Sequence, residues 1–116
     1  MKPVVSADEM REIDRDASSI YGIPSILLME SAARSVTSVL VQKLGTLCNK
    51  QVLVCCGKGN NGGDALVASR RLAELFRWRV TTVVVANREA DDHLAALHKP
   101  ELHALVTVVE IGRAHV

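Results

Sequence analysis

The residues able to do chemistry gather in one short stretch, "CCGKGNNGGDALV", at 55–67. Two adjacent amides, Asn60 and Asn61, and one carboxylate, Asp64, sit on a scaffold of four glycines. Glycines let backbone N–H groups approach a ligand without a Cβ in the way. A helix that follows such a loop offers unpaired N–H groups and the positive end of its dipole. Three uses compete. A P-loop needs G-x-x-x-x-G-K-[ST]; Gly57 and Gly62 have the spacing, but Gly63 and Asp64 stand where Lys and Ser/Thr are required, so nothing holds terminal phosphates or magnesium. The P-loop is excluded.

A dinucleotide fingerprint, G-x-G-x-x-G, is matched by Gly57-Lys58-Gly59-Asn60-Asn61-Gly62. It calls for an acid at the end of the next strand to bind a ribose. That strand ends near Val85, and Glu89 comes late. Asp64 would also bring negative charge towards a pyrophosphate, so an ordinary NAD-binding oxidoreductase is a strained alternative. The third use employs the side chains themselves: amides and a carboxylate gripping a polar ligand, with neutral amide oxygens suited to a weakly charged cation such as potassium. Against it stands a structural role, in which Asp64 caps its helix and the asparagines occupy turn conformations. Spacing alone leaves the last two open.

The elements that must position this stretch are legible from periodicity. Ser6-Ala7-Asp8-Glu9 fits a capping box, and Met10, Ile13, Ala17 and Ile20 follow at helical spacing up to Gly22. Pro24 suits the first turn of a second helix. It runs from Ile26 to about Leu44, with Leu27, Leu28, Ala32, Val36, Val39 and Leu40 on one broad face and small Ala32, Ala33 and Ser35 allowing close packing. "KQVLVCC" predicts a strand covered on both faces. Asp64 to Phe76 predicts a helix with Leu66, Val67, Leu72 and Leu75 inward and Arg70, Arg71 and Glu74 in water. "WRVTTVVVA" predicts a second strand, "ADDHLAALHKPELHAL" a helix interrupted at Pro100, and "LVTVV" a third strand. This alternation implies an α/β fold of Rossmann-like, three-layer α/β/α type, with a parallel sheet and two helices before the first strand.

Composition narrows the function classes. The 116 residues suffice for one small domain. A net charge of +1 and 3% aromatic residues give no electrostatic or stacking case for nucleic acid. No apolar run approaches a membrane span, and the polar N-terminus is no secretory signal. Cys48, Cys55 and Cys56 make a poor disulfide or zinc framework and read as reduced, buried residues, which points to the cytoplasm.

The final residues, "EIGRAHV", continue no pattern. The codons GAG ATC GGA AGA GCA CAC GTC encode them and contain the start of a common sequencing adapter. We therefore expect 110–116 to be a non-native tail, with the Glu110 codon straddling the join, and 1–109 to be the front part of a larger domain whose sheet is incomplete.

"GKGNNGGDALVASRRL" resembles the YjeF N-terminal domain family, the NAD(P)H-hydrate epimerases, which carry G-x-G-N-N-G-G-D followed by a helix of the type "GLVAARHL". "SADEMREIDRDASSIYGIPSILLMESAARSV" resembles the family's two first helices, "MRxLDxxAxxxxGIPxxxLMExAGR". The likeness covers Val5 to about Val109, with Ala65 where many members have glycine.

The resemblance implies binding of hydrated NADH or NADPH and interconversion of its R and S epimers. It implies that Asn60, Asn61, Gly62, Gly63 and Asp64 contact the dinucleotide. It also implies that Asn61 supplies a ligand to one potassium ion per subunit and that Asp64 is a candidate catalytic group. It admits a homodimer and, in the parent, a fused ADP-dependent dehydratase. The later family segments "DALFGTGL" and "DIPSG", with the remaining potassium ligands and a second acid, are absent, so the chain alone is expected to be inactive. Scaffold members of the family exist, but those that lose catalysis tend to lose N-N-G-G-D, which is intact here.

Overall fold

The computed structural model describes residues 2–45, 50–85 and 91–111. Its elements run α1 (Ala7–Ser19), α2 (Ser25–Leu44), β1 (Gln51–Cys56), α3 (Gly59–Phe76), β2 (Arg79–Val85), α4 (Asp92–Ala96), a 3-10 turn (Pro100–Leu102) and β3 (Val106–Ile111). The three strands form a parallel sheet in the order β1-β2-β3. Val52, Val80 and Val106 lie in register, as do Val54, Thr82 and Val108. The alternation of strands and helices thus produced the expected α/β fold with two leading helices.

Local chemistry explains the boundaries. Ser6 and Glu9 form the capping box: the Glu9 N–H donates to Ser6 Oγ at 3.1 Å, and the Ser6 N–H donates to Glu9 Oε1 at 2.9 Å. Those bonds hold the Glu9 carboxyl below its ordinary pKa. Gly22, at φ 69°, closes α1 in a left-handed conformation that costs other residues more. Arg77 takes φ 59° after α3 and turns the chain so that Trp78 drops into the core. Pro100 breaks the fourth helical segment into α4 and the 3-10 turn.

The core lies on one face of the sheet. Cys56, Leu66, Val84, Leu94 and Leu97 make one cluster; Leu72, Ala73, Trp78, Val80 and Leu102 make another. α2 packs on α3 through Ala33, which meets Val67 and Ala68, so the expected close approach by small residues is real. The stripe expected on α2 is not what is buried: Leu27, Val36 and Val39 are exposed, while Thr37 is buried and Leu40 and Val41 reach the second cluster. Leu75 of α3 is likewise exposed.

The opposite face of the sheet is bare among the described residues. Leu53 is 64% exposed, and Val85, Val109 and Ile111 are exposed with it. Cys55 lies on this face and is exposed, against the expectation that it is buried; Cys56 is buried. The reason is topological. Strand order β1-β2-β3 advances in one direction, and right-handed crossovers then put every connecting helix on the same side. Of the three layers expected, this chain supplies the sheet and the helices of one face. Cys48 and Glu89 fall outside the described residues. β3 continues through Glu110 and Ile111, pairing Val85 with Ile111. No helix among the described residues is long and apolar enough to cross a membrane.

Candidate functional site

β1 and β2 are parallel neighbours, with Cys56 opposite Val84, so the helices that follow them start at the same, carboxyl-terminal edge of the sheet. In open parallel sheets ligands bind beyond that edge. The glycine stretch leads there, but less of it is loop than the sequence predicts. Only Gly57 and Lys58 lie between β1 and α3. Gly59, at φ 76°, turns the chain straight into the helix. Asn60, Asn61, Gly62, Gly63 and Asp64 are therefore the first turns of α3 rather than a connection ahead of it.

That early start decides how the side chains relate. Residues three and four apart on a helix share a face, so Asn61 and Asn60 both stand beside Asp64. The two asparagines are exposed and Asp64 is half-buried, whereas Gly62 and Gly63 are buried. Glycine here keeps the inner side of the first turns free of side chains while the outer side presents two amides and a carboxylate. The helix-cap role for Asp64 does not hold. The cap position is Lys58, which makes no side-chain cap hydrogen bond, and Asp64 sits more than a turn inside.

Two further groups belong to this neighbourhood. Burial pushes the Asp64 carboxyl above its ordinary pKa, the nearby Asp14 carboxylate on α1 pushes it further, and His93 at the start of α4 opposes both. Asp14 lies within the "MREID" stretch, where the family pattern "MRxLD" also has Asp, so a signal for it existed. His93 has no motif around it. It is placed by tertiary packing alone, since Leu94 of α4 joins the core cluster that holds Leu66 of α3.

Behind the site, α3 is fixed to α2 and β2. Glu30 of α2 pairs with Arg70, and its other oxygen lies 3.6 Å from Arg71 Nη1. Arg70 Nη1 also donates to Glu74 Oε2 at 3.0 Å. The two arginines are therefore mostly covered, with side chains 20% exposed, rather than forming the solvated face that their spacing predicts.

The donor set can be weighed against the implied potassium ion. An exposed amide oxygen on Asn61 is a neutral, hard donor of the right kind. It sits at the positive end of a helix dipole, which opposes a cation, and the Asp64 carboxylate offsets that. Asn61 thus fits as one ligand of a larger set. Among the described residues no three His, Cys, Asp or Glu side chains cluster as a transition-metal site requires. A groove of about 510 Å³ lies at the other end of the sheet, lined by Gln51, Leu53, Arg79, Thr81 and Thr107. It includes none of the residues from Gly57 to Asp64, and the carboxyl edge remains the place where fold and reactive groups coincide.

A parallel sheet whose first crossover helix opens on glycines, paired amides and a half-buried carboxylate defines a Rossmann-like α/β domain with its polar site at the sheet's carboxyl edge. The chain belongs to the family described as YjeF-related protein N-terminus, whose family model matches residues 25–113. It is 34% identical over 119 residues to an NAD(P)H-hydrate epimerase of Rhodopirellula baltica, covering 98% of this chain and 48% of that protein. It is 53% identical over 70 residues to a bifunctional NAD(P)H-hydrate repair enzyme of Moorella thermoacetica, covering 60% of this chain and 13% of that protein. The crystal structure of yeast ynu0 superposes with a TM-score of 0.77 at 29% identity, covering 96% of this chain and 48% of the yeast chain. The chain thus spans about half the length of the epimerase relative and a smaller share of the bifunctional one.

Proposed function

We propose that this chain forms one wall of the active site of an NAD(P)H-hydrate epimerase, an isomerase that interconverts the R and S forms of hydrated NADH or NADPH. The observation that carries the reading is the intact Asn60-Asn61-Gly62-Gly63-Asp64 run, held on the first turns of α3 at the carboxyl edge of the sheet. It is supported by relatives named for this activity.

The chemistry suits these groups. In the hydrated cofactor a hydroxyl is attached at C6, next to the ring nitrogen. One route breaks the C6–O bond as the nitrogen lone pair forms C=N; the oxygen takes up a proton and leaves as water. Water then adds to the other face and gives up a proton. Ring opening and closure is a second route. Both need a group that exchanges a proton with the hydroxyl, and in this reading Asp64, its pKa raised by burial, takes that role. Asn60 and Asn61 hydrogen-bond the dinucleotide, the buried Gly62 and Gly63 allow close approach, and the α3 N-terminus favours its negative charge. Asn61 is one ligand to a potassium ion, which supplies a fixed positive charge when bound.

The reading extends to a cytoplasmic location and a homodimer. It includes two forms of the parent, one fused to an ADP-dependent dehydratase and one without it. It also retains 110–116 as a non-native tail; genuine coding sequence past Val109 in the source DNA removes that part alone. The oxidoreductase and scaffold alternatives are separated by two assays. In a longer protein that contains this chain, hydrated NADH should bind in a potassium-sensitive way and hydride transfer from simple alcohols to NAD should stay blank. The reverse pattern supports the oxidoreductase, and two blanks support the scaffold.

A further inference from the structure

Two adjacent residues, Gly57 and Lys58, work against local stability and return nothing to the fold. They form the whole link between β1 and α3, and both are exposed. Glycine costs entropy to order, so it is favoured where a left-handed φ or a crowding neighbour demands it. Gly59 has such a φ, at 76°. Gly57 does not, and among the described residues a Cβ built on it meets nothing within 4 Å. Lys58 holds the cap position of α3, where Ser, Thr, Asp or Asn would bond the first amides. Its side chain makes no such bond, and it brings positive charge to the positive end of the helix dipole. Among the described residues its ammonium pairs with no acid. Local preferences that fail together, beside reactive groups, mark a place kept for function.

We propose that Gly57 and Lys58 seat the diphosphate of the dinucleotide, a binding role that rests on the epimerase reading. One anion accounts for both residues. Its negative charge pairs with the Lys58 ammonium, and its oxygens come close to a main chain that carries no Cβ at 57. Lys58 precedes Asp64 by six residues, about 9 Å along the helix axis. That spacing keeps the Asp64 carboxylate away from the phosphates. It also suits a ligand in which one ribose separates the diphosphate from the nicotinamide ring. The link thus holds the charged middle of the substrate while the first turns of α3 address its reacting end.

The test uses a longer protein that contains this chain, as wild type, Gly57→Ala, Lys58→Gln and Lys58→Arg. Steady-state epimerisation of hydrated NADH is measured at low and high salt, with a thermal melt of each variant. Lys58→Gln should raise KM by about tenfold, the scale of one charge-assisted hydrogen bond, and lower kcat much less. The increase should shrink at high salt, and Lys58→Arg, which keeps the charge, should recover most of it. Gly57→Ala should also raise KM while its melting temperature stays at or above wild type, because alanine fits the backbone there. A lower melting temperature in Gly57→Ala shows that another part of the protein needs the glycine, and it overturns the proposal. Equal KM increases in Lys58→Gln and Lys58→Arg overturn the role of the charge. Wild-type KM in Gly57→Ala or in Lys58→Gln removes the seat and leaves the epimerase reading standing. A wild type that leaves hydrated NADH untouched removes that reading and the seat with it.

Discussion

Thr82 Oγ1 on β2 donates a hydrogen bond of 3.0 Å to Ser69 Oγ on α3, and both residues are fully buried. Ser69 Oγ in turn donates a hydrogen bond to the Ala65 carbonyl at 3.0 Å. Two hydroxyls in an aliphatic core are tolerated because each has a partner. The pair fixes the rotation of α3 on the sheet. Asn60, Asn61 and Asp64 ride on the same helix, so their direction is set from behind by this contact.

The two hydroxyls should be unequal under mutation. Ser69→Ala leaves the Thr82 hydroxyl buried without its acceptor and should cost about 1–3 kcal/mol of stability. Thr82→Val keeps the shape and leaves Ser69 bonded to Ala65, so it should cost less. In a double-mutant cycle by chemical denaturation, Ser69→Ala should be milder on the Thr82→Val background than alone. Strict additivity would show that the hydroxyls do not interact.

Glu30 joins α2 to α3 by answering two arginines at once, Arg70 and Arg71. Glu30→Ala leaves both guanidinium groups short of a partner in a partly covered site. A loss of about 1 kcal/mol is expected, more than a single exposed pair contributes because a network is broken. The loss should shrink at high salt, where these exposed edges are screened. Denaturation midpoints equal to wild type at low salt would contradict this role.

Asp64 should make the chain less stable as pH rises. Folding raises its pKa, so the folded state favours the protonated carboxyl. As pH climbs from the ordinary carboxylate value to the folded-state value, the unfolded chain releases its proton first and stability falls. The cost is absent below that window and complete above it. Asp64→Asn should therefore raise the melting temperature at about pH 7 and leave it unchanged at about pH 3. A variant that is destabilised at neutral pH would show that Asp64 stabilises the fold. Stabilisation gained by removing a reactive group is the usual sign of a site kept for function.

Much of this molecule is readable from one-dimensional pattern, and the parts that are not share a cause. Short β-rich runs and glycine punctuation gave the strands, and S-x-x-E gave the α1 cap, because these are local effects. The α3 start was missed by five residues because Asn60, Asn61, Gly62 and Gly63 are poor helix formers, and packing of the buried glycines overrides that propensity. The exposure of Cys55 and Leu53 was missed because an apolar run does not reveal strand order, and strand order decides which face is covered. Arg70 and Arg71 looked solvated because their partner Glu30 is forty residues from Arg70 in sequence. Asn60, Asn61 and Asp64 were visible as a motif; His93 was not, because only the parallel pairing of β1 and β2 brings the start of α4 to the same edge as the start of α3.

In the proposed epimerase, Asp64 and Asn61 act on the C6 hydroxyl end of a hydrated nicotinamide dinucleotide. The direct measurement follows the ratio of R and S hydrated NADH by chiral chromatography, starting from one pure epimer. The protein used is a longer one that contains this chain, as wild type, Asp64→Ala and Asn61→Ala. The wild type should bring the epimers to equilibrium much faster than buffer, with Asp64→Ala slowed by at least about a hundredfold, the scale of a lost proton-exchanging group. Asn61→Ala should be slowed and less responsive to potassium. Wild-type rates in both variants would contradict these roles for Asp64 and Asn61.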